Sequence, residues 1–245
     1  AMMLIEEGLI RPTDPVSKWI PQFEEMQVAV LAEPFDENIS PLRVDPEDLP
    51  EHRLVPAHRQ ITVHDILTHT SGLASSGLGS AISAPADRSP GATLANTVPK
   101  FGDYVLDFQP GTRWQYSPAT ALDVIARIIE IESGMPFPQF TQQRIFEPLG
   151  MNNTWWNVPA EYQDRRVVIV DRDMSRFFDV PDTTYFSGSY GLNSTAEDYL
   201  RFEQMLANGG ELFGNRLLSP RTVRMMASNQ SGDLYKGIGR NLRGQ

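Results

Sequence analysis

The stretch Phe108-Gln-Pro-Gly-Thr-Arg-Trp-Gln-Tyr116-Ser117-Pro118-Ala119-Thr120 carries more information than any other in this chain. It reads as a turn that delivers a tyrosine to the mouth of a helix. Ser117 is a residue type that caps helices, and Pro118 suits the first helical position, where a missing N–H leaves no bond unmade. Leu122, Ile125, Ile128 and Ile129 then recur at helical spacing, and Gly134 supplies the stop.

On the N-terminal side, the next clear signals are also helix ends. Thr62-Val-His-Asp65 approximates a capping box, with Asp in place of Glu, and predicts a helix through Leu67 that Gly72 terminates. Asp14-Pro15 predicts an N-cap and a short helix through Trp19. Met2, Met3, Leu4 and Ile5, followed by Glu6, Glu7 and Gly8, read as the last turns of a helix entered midway, which suggests a truncated fragment. Residues 33–60 mix prolines and charges with few periodic apolar positions and predict an irregular, strand-poor connection. Residues 74–98, rich in Gly, Ala, Ser and Pro, predict a long surface loop. Phe101, Tyr104, Val105 and Phe108 have helical spacing.

Downstream, a helix is expected over about Phe137–Phe146, stopping at Pro148-Leu-Gly150. Arg165-Arg-Val-Val-Ile-Val170 is the clearest strand candidate. Ser194-Thr-Ala-Glu197 is a full capping box that opens a helix to Asn208, and Ser219-Pro220 opens one more. Helices dominate, and strands sufficient for a full central sheet are missing.

Composition excludes several function classes. Apolar residues make up 40% and charged residues 21% of 245, which is ordinary for a globular chain with a sizeable core. A formal charge of −10 argues against a nucleic-acid surface, which needs clustered Lys and Arg, and against docking on anionic lipid. With no cysteine there is no disulfide, thiolate metal site or cysteine nucleophile. No apolar run reaches the ~20 residues of a membrane span. His52, His58, His64 and His69 are spaced at six, six and five, so none forms the i, i+4 pair of zinc proteases, and no metal is expected. No pair of acidic residues makes a case for glycosidase chemistry. Trp155-Trp156 reads as core or, alternatively, as a sugar-binding platform.

Five stretches together resemble, in order, the serine β-lactamase-like family, the group that contains class C β-lactamases, D-Ala-D-Ala carboxypeptidases and related esterases. They are Met3-Leu-Ile-Glu-Glu-Gly8 with Asp14-Pro-Val-Ser-Lys18, Ile61-Thr-Val-His-Asp-Ile-Leu-Thr-His-Thr-Ser-Gly-Leu73, Pro110-Gly-Thr-Arg-Trp-Gln-Tyr-Ser117, Ile145-Phe-Glu-Pro-Leu-Gly-Met151 and Tyr190-Gly-Leu-Asn-Ser-Thr-Ala-Glu-Asp198. The resemblance implies one partial domain over residues 1–245. This would be an incomplete α/β fold of the β-lactamase/transpeptidase type, its helical subdomain largely present and part of its antiparallel sheet missing.

The family's machinery, as the resemblance implies it, has three parts: an acylated serine in a Ser-x-x-Lys, a Tyr-x-Asn or Ser-x-Asn that moves protons, and a Lys-Thr-Gly or His-x-Gly on a sheet edge. Here the three lysines, Lys18, Lys100 and Lys236, are preceded at the third position by Pro15, Thr97 and Asp233, so the Ser-x-x-Lys is not in this chain. Only the middle element is present, as Tyr116-Ser117-Pro118. The first part is expected upstream of Ala1 and the third downstream of Gln245.

Tyr116 is then the expected catalytic residue, its phenol serving as general base and acid. A phenol near pKa 10 is a poor base at pH 7. A helix N-terminus favours phenolate by about 0.3–2 kcal/mol, and ammonium groups such as the lysine of a Ser-x-x-Lys would have to supply the rest. The alternative is a tyrosine that merely packs at a helix start. Pro118 stands where the family has asparagine and can neither replace the amide's donors nor its acceptor. That departure weighs against strong β-lactam hydrolysis more than against hydrolysis in general. Ser117 is expected to act as an N-cap. Tyr190 resembles a pocket-lining tyrosine of class C enzymes, expected to bind substrate, or else a loop aromatic tucked onto the core. The expected function is a fragment of a serine hydrolase that works through an acyl-enzyme on an ester, amide or β-lactam, with a small-molecule or peptide substrate and no cofactor. Its rival is an inert penicillin- or peptide-binding module.

Overall fold

A computed structural model describes residues 1–32, 49–85, 91–167, 170 and 183–235. Helix α1 (Met2–Glu6) opens the chain and ends at Glu7, before Gly8. A 3₁₀ turn, Val16–Lys18, is flanked by Pro15 and not by an Asp14 cap. Asp14 instead accepts from Lys18 Nζ at 2.8 Å and from the Arg11 amide at 3.2 Å. A second 3₁₀ turn, Pro21–Phe23, leads into strand β1 (Gln27–Leu31).

Strand β1 pairs antiparallel with β2 (His52–Pro56), with Val28 opposite Val55 and Val30 opposite Arg53. The end of the segment expected to be strand-poor is therefore a strand. Its residues are poorly alternating, and only the presence of β1 as a partner edge makes the ladder possible. Residues 33–48 lie outside those described.

Helix α2 (Val63–Leu67) carries the expected capping box. The Asp65 amide donates to Thr62 Oγ1 at 3.3 Å and the Thr62 amide returns the bond to Asp65 Oδ2 at 2.8 Å. The helix stops at Thr68, short of Gly72, because His69 already turns left-handed at φ +58°. Beyond it, the expected open loop contains helices α3 (Leu78–Ile82) and α4 (Leu94–Thr97). Asp107 organises this Gly- and Ser-rich segment by accepting from the Ser75 amide at 2.6 Å, the Ser80 amide at 2.7 Å and the Ser80 hydroxyl at 2.6 Å. The helical spacing from Phe101 to Phe108 yields only a 3₁₀ turn, Val98–Asp103. Past it the backbone is extended, because Leu106 bonds both to Gln27 O at 2.8 Å and from the Ala29 amide at 3.0 Å.

Helix α5 (Thr120–Ser133) is the centre of the structure. Ala121, Val124, Ile125, Ile128 and Ile129 form its buried face, and Gly134 at φ +67° closes it. Leu122 is only half-buried. Helix α6 (Phe137–Thr141) passes through a π-helical turn, Gln142–Phe146, into α7 (Glu147–Leu149), which ends at Gly150 as expected.

The strand expected at 165–170 does not appear among its described residues. Arg165 ends a 3₁₀ turn, Ala160–Arg165, and Val167 and Val170 are each 90% exposed. Val168 and Ile169 lie outside the described residues. A run of β-branched residues becomes a strand only where another edge receives it.

Helix α8 (Ala196–Ala207) starts one residue later than its motif suggests. Ser194 Oγ is engaged with Thr154 Oγ1 at 2.8 Å, so Thr195 takes over as cap, accepting from the Asp198 amide at 3.2 Å. Strands β3 (Glu211–Leu212) and β4 (Asn215–Arg216) make a small hairpin. Helix α9 (Pro220–Met226) is capped by Ser219, as expected.

The apolar residues gather in two clusters. The larger joins α5 to Leu4, Val16, Phe23, Val28, Ile66, Leu73, Phe101 and Leu106. The smaller joins Phe146, Leu149 and Met151 to Met205, Leu212 and Leu217. Each buried aliphatic or aromatic side chain contributes about 1.5–3 kcal/mol through area removed from water. The larger cluster thus fixes α5, whose N-terminal end positions the residues described next.

Candidate functional site

The segment that carries Tyr116 is held by the turn that follows α2. The Gly111 amide donates to Thr70 O at 2.8 Å, the Gln115 amide to His69 O at 3.0 Å and the Asp107 amide to Gly72 O at 2.8 Å. Gln115, itself buried, donates from its side chain to Ser75 O. Gly72 is required in this contact: it has φ +75°, and a Cβ there would lie 2.5 Å from Phe108 O. The two stretches singled out in the sequence, around Thr-His-Thr-Ser-Gly and around Tyr-Ser-Pro, are therefore physically one unit.

A turn below, Asp65 braces that unit. It is buried and accepts from both Arg59 guanidinium nitrogens at 2.6 and 2.9 Å, from Thr62 Oγ1 at 2.7 Å and from Thr70 Oγ1 at 3.2 Å. Burial pushes its carboxyl up, but the Arg59 and Thr62 hydrogen bonds outweigh that and hold it below the ordinary carboxylate value.

Within the unit, Tyr116 presents its ring to solvent at 54% exposure. One face meets His69, ring centroids 4.8 Å apart and tilted by 52°. Trp114 approaches His69 edge-on at 6.1 Å, and Tyr235 meets Trp114 edge-on at 4.8 Å. The result is a row of four rings. His69 Nδ1 accepts a hydrogen bond from the Ser117 amide at 3.3 Å. Burial lowers the imidazole below its ordinary value, favouring the neutral ring with its proton on Nε2.

Ser117 does not cap α5. The helix begins at Thr120 after Ala119, with no side-chain cap, and Pro118 lies outside its first turn. The Ser117 hydroxyl is fully buried and has no hydrogen-bond partner among the described residues.

Tyr190 belongs to a segment fastened at both ends. Asp123, in the first turn of α5 and fully buried, accepts from the Tyr185 hydroxyl at 2.6 Å, the Ser187 hydroxyl at 2.5 Å and the Gly188 amide at 2.8 Å. Ser189 Oγ donates to Ala119 O at 2.7 Å. Beyond Tyr190, Asn193 and Trp155 exchange backbone bonds of 2.8 Å in both directions. Gly188 packs so closely on Leu122 O that no Cβ fits. The segments bearing Tyr116 and Tyr190 thus meet at the N-terminal end of α5, and Tyr190 itself is half-buried.

An apolar groove of ≈ 480 Å³ opens beside the ring row, lined by Met2, Ile5, Leu67, Trp114, Met225 and Met226, with His64 and His69 on its polar side. Among the described residues no group of three or more His, Asp or Glu side chains is arranged to hold a metal. His52 bonds to Pro50 O at 2.8 Å, away from this groove. Trp155 stacks on Tyr162 at 5.1 Å, and Trp156 packs against Phe137 at 5.6 Å and Phe186 at 5.8 Å. Both tryptophans, each partly buried, thus make aromatic packing contacts. Among the described residues no helix is long and apolar enough to cross a membrane.

The sequence profile of the beta-lactamase family matches residues 1–242. The chain belongs to the β-lactamase family. Protein Rv1367c of Mycobacterium tuberculosis is 34% identical over 255 residues, a match covering 96% of this chain and 57% of that protein. Lovastatin esterase of Penicillium rubens is 28% identical over 249 residues, covering 95% of this chain and 56% of that protein. Among solved structures, simvastatin synthase (LovD) from Aspergillus terreus superposes with a TM-score of 0.66 at 20% identity, over 98% of this chain and 58% of that one. The chain spans a little over half the length of the relatives it matches. The fold is the β-lactamase/transpeptidase-like one, mainly helical here with only small antiparallel sheets.

His69 and Trp114 are the site neighbours that residue-by-residue reading missed. By its own spacing His69 was legible only as one of four histidines without the i, i+4 pairing of a metal site. Its place in the quoted Thr-His-Thr-Ser-Gly stretch was the available signal, and its contact with Tyr116 crosses 47 positions of sequence.

Proposed function

We propose that this β-lactamase-family chain is part of a serine hydrolase that forms an acyl-enzyme on an ester, amide or β-lactam, with Tyr116 as its proton-transfer residue and Tyr190 on the substrate wall. The observation that carries the reading is the position of Tyr116. Its phenol is exposed at the N-terminal end of α5, on a backbone strapped to the α2 turn by a continuous set of hydrogen bonds.

In the proposed reaction a serine supplied by flanking polypeptide loses its hydroxyl proton to the Tyr116 phenolate as its oxygen bonds to the acyl carbon. The bond from that carbon to the leaving group then breaks, and the phenol returns the proton to the leaving atom. Water then bonds to the acyl carbon and gives its proton to the regenerated phenolate, the bond from that carbon to the serine oxygen breaks, and the phenol returns the proton to the serine. Relatives named as an esterase and as a putative D-alanyl-D-alanine carboxypeptidase support the acyl-transfer class without fixing the substrate. Pro118, where the family pattern has asparagine, favours esters over β-lactams, because a proline ring offers no amide to a lactam substrate.

The test is covalent labelling of the protein that includes the flanking sequence, with a fluorophosphonate and with a fluorescent penicillin. An adduct on serine supports the hydrolase, and its absence with both reagents supports an inert binding module. In the same protein Tyr116→Phe is expected to slow acylation by about 10²–10⁴-fold. An unchanged rate removes Tyr116 from the mechanism.

A further inference from the structure

We infer that His69 is the positioning residue for Tyr116, holding the phenol at a fixed angle through the Tyr116–Ser117 peptide and through ring contact. The inference rests on the reading of Tyr116 as the proton-transfer residue.

Four observations converge on this residue. His69 occupies the left-handed region at φ +58°, a conformation that costs a non-glycine residue about 1–2 kcal/mol. A residue kept there against that cost is over-determined by its surroundings, and such strain gathers at working sites. Second, the strained turn aims the imidazole at a segment 48 positions away, where Nδ1 accepts the Ser117 amide at 3.3 Å. Third, the ring packs on Tyr116 at 4.8 Å, with Trp114 behind it at 6.1 Å. Fourth, the His69 carbonyl accepts the Gln115 amide at 3.0 Å. Main chain and side chain of one residue thus hold the Trp114–Gln115 and Tyr116–Ser117 peptides, one before Tyr116 and one directly after it.

The other bonds that hold this segment, from Gly111 to Thr70 and from the Gln115 side chain to Ser75, fix its backbone before Tyr116 and leave the phenol itself to His69. Tyr116 is 54% exposed, and Pro118 has no amide proton with which to anchor the following turn. The Ser117 hydroxyl, which could have capped α5, is buried away from the helix amides. Proton transfer falls steeply when the base is misplaced, and about 1 Å can cost 10²-fold. A neutral imidazole is the suitable clamp, because Nδ1 must keep its lone pair to accept the amide.

The test uses the protein with its flanking sequence, p-nitrophenyl acetate as substrate and two substitutions that separate backbone from side chain. His69→Gly tolerates φ +58° but removes the acceptor and the ring. His69→Asn also tolerates that conformation and returns an oxygen near the place of Nδ1. We expect His69→Gly to lower the acylation rate by about 10–10²-fold with KM nearly unchanged, and His69→Asn to recover most of it. Labelling with ¹³C′-Tyr and ¹⁵N-Ser isolates the Ser117 amide, since Tyr-Ser occurs once in these 245 residues. Its resonance should move in His69→Gly and return toward the parent position in His69→Asn.

A parent acylation rate in His69→Gly overturns the inference, as does a slow His69→Asn whose Ser117 amide is restored. Tyr116→Phe, measured alongside, separates the two claims. If it is slow while His69→Gly is not, only the positioning role is lost. If it is as fast as the parent, the reading of Tyr116 fails and the role of His69 falls with it.

Discussion

Two buried polar side chains, Asp65 and Ser117, meet opposite fates in this fold. Asp65 satisfies its carboxylate with Arg59, Thr62 and Thr70. Arg59 is 45% exposed and can rehydrate if abandoned, so the main cost of Asp65→Ala is the lost cap and the unpaired Thr62 amide. We expect a loss of about 2–3 kcal/mol, read as a lower urea midpoint at unchanged slope; a loss under about 1 kcal/mol would mean that the pair behaves as a surface ion pair. Because the folded-state value of Asp65 lies below its ordinary 3.8, the stability it lends is complete above that value and is lost as pH falls through the lower, folded one. The parent's acid unfolding should therefore steepen below that value, and Asp65→Asn should flatten it. Ser117 is the opposite case, a fully buried hydroxyl without a partner among the described residues. An unmet buried hydroxyl costs about 1–3 kcal/mol. Ser117→Ala should leave the melting temperature of this chain unchanged or raise it, and a clear fall would reveal a partner.

At the scale of elements, legibility followed the range of the forces involved. The caps at Thr62 and Ser219 and the end of α5 at Gly134 were readable because each involves atoms within a few residues of one another. Ser117 misled for the same reason: its type suits a cap, but the amide beside it is claimed by His69, and the helix starts later. Strand β2 was missed, and Val167 and Val170 stand in no strand, since strands are made by partners that local sequence does not display. Within the expected loop, the stretch from Ser75 to Ser80 is held by Asp107, a residue outside it. The site depends on one further such long-range anchor. Asp123 fastens the 185–188 segment, and with it the approach to Tyr190, to α5. Asp123→Ala would strand two hydroxyls and an amide and should cost at least about 3 kcal/mol. In the protein with its flanking sequence it should also raise KM for esters, and an unchanged KM would separate Tyr190 from the substrate.

For the molecule as a whole, the two apolar clusters make stability divisible. Ile128 is fully buried in the larger cluster, and Met205 is nearly so in the smaller. We expect Ile128→Val to cost about 0.5–1.5 kcal/mol and Met205→Ala about 2–5 kcal/mol. The double variant should match their sum within about 0.5 kcal/mol, because among the described residues the two clusters have no member in common. Coupling well beyond that in urea unfolding would show one core rather than two. The family, the caps at Thr62 and Ser219, the stop at Gly134 and the tyrosine ahead of α5 were legible in the order of residues alone, because a motif is a statement about near neighbours in the chain. Which residue stands against that tyrosine was decided only when folding brought the α2 turn onto the α5 entry. Contacts of that kind depend on packing between segments far apart in sequence, and no local pattern encodes them.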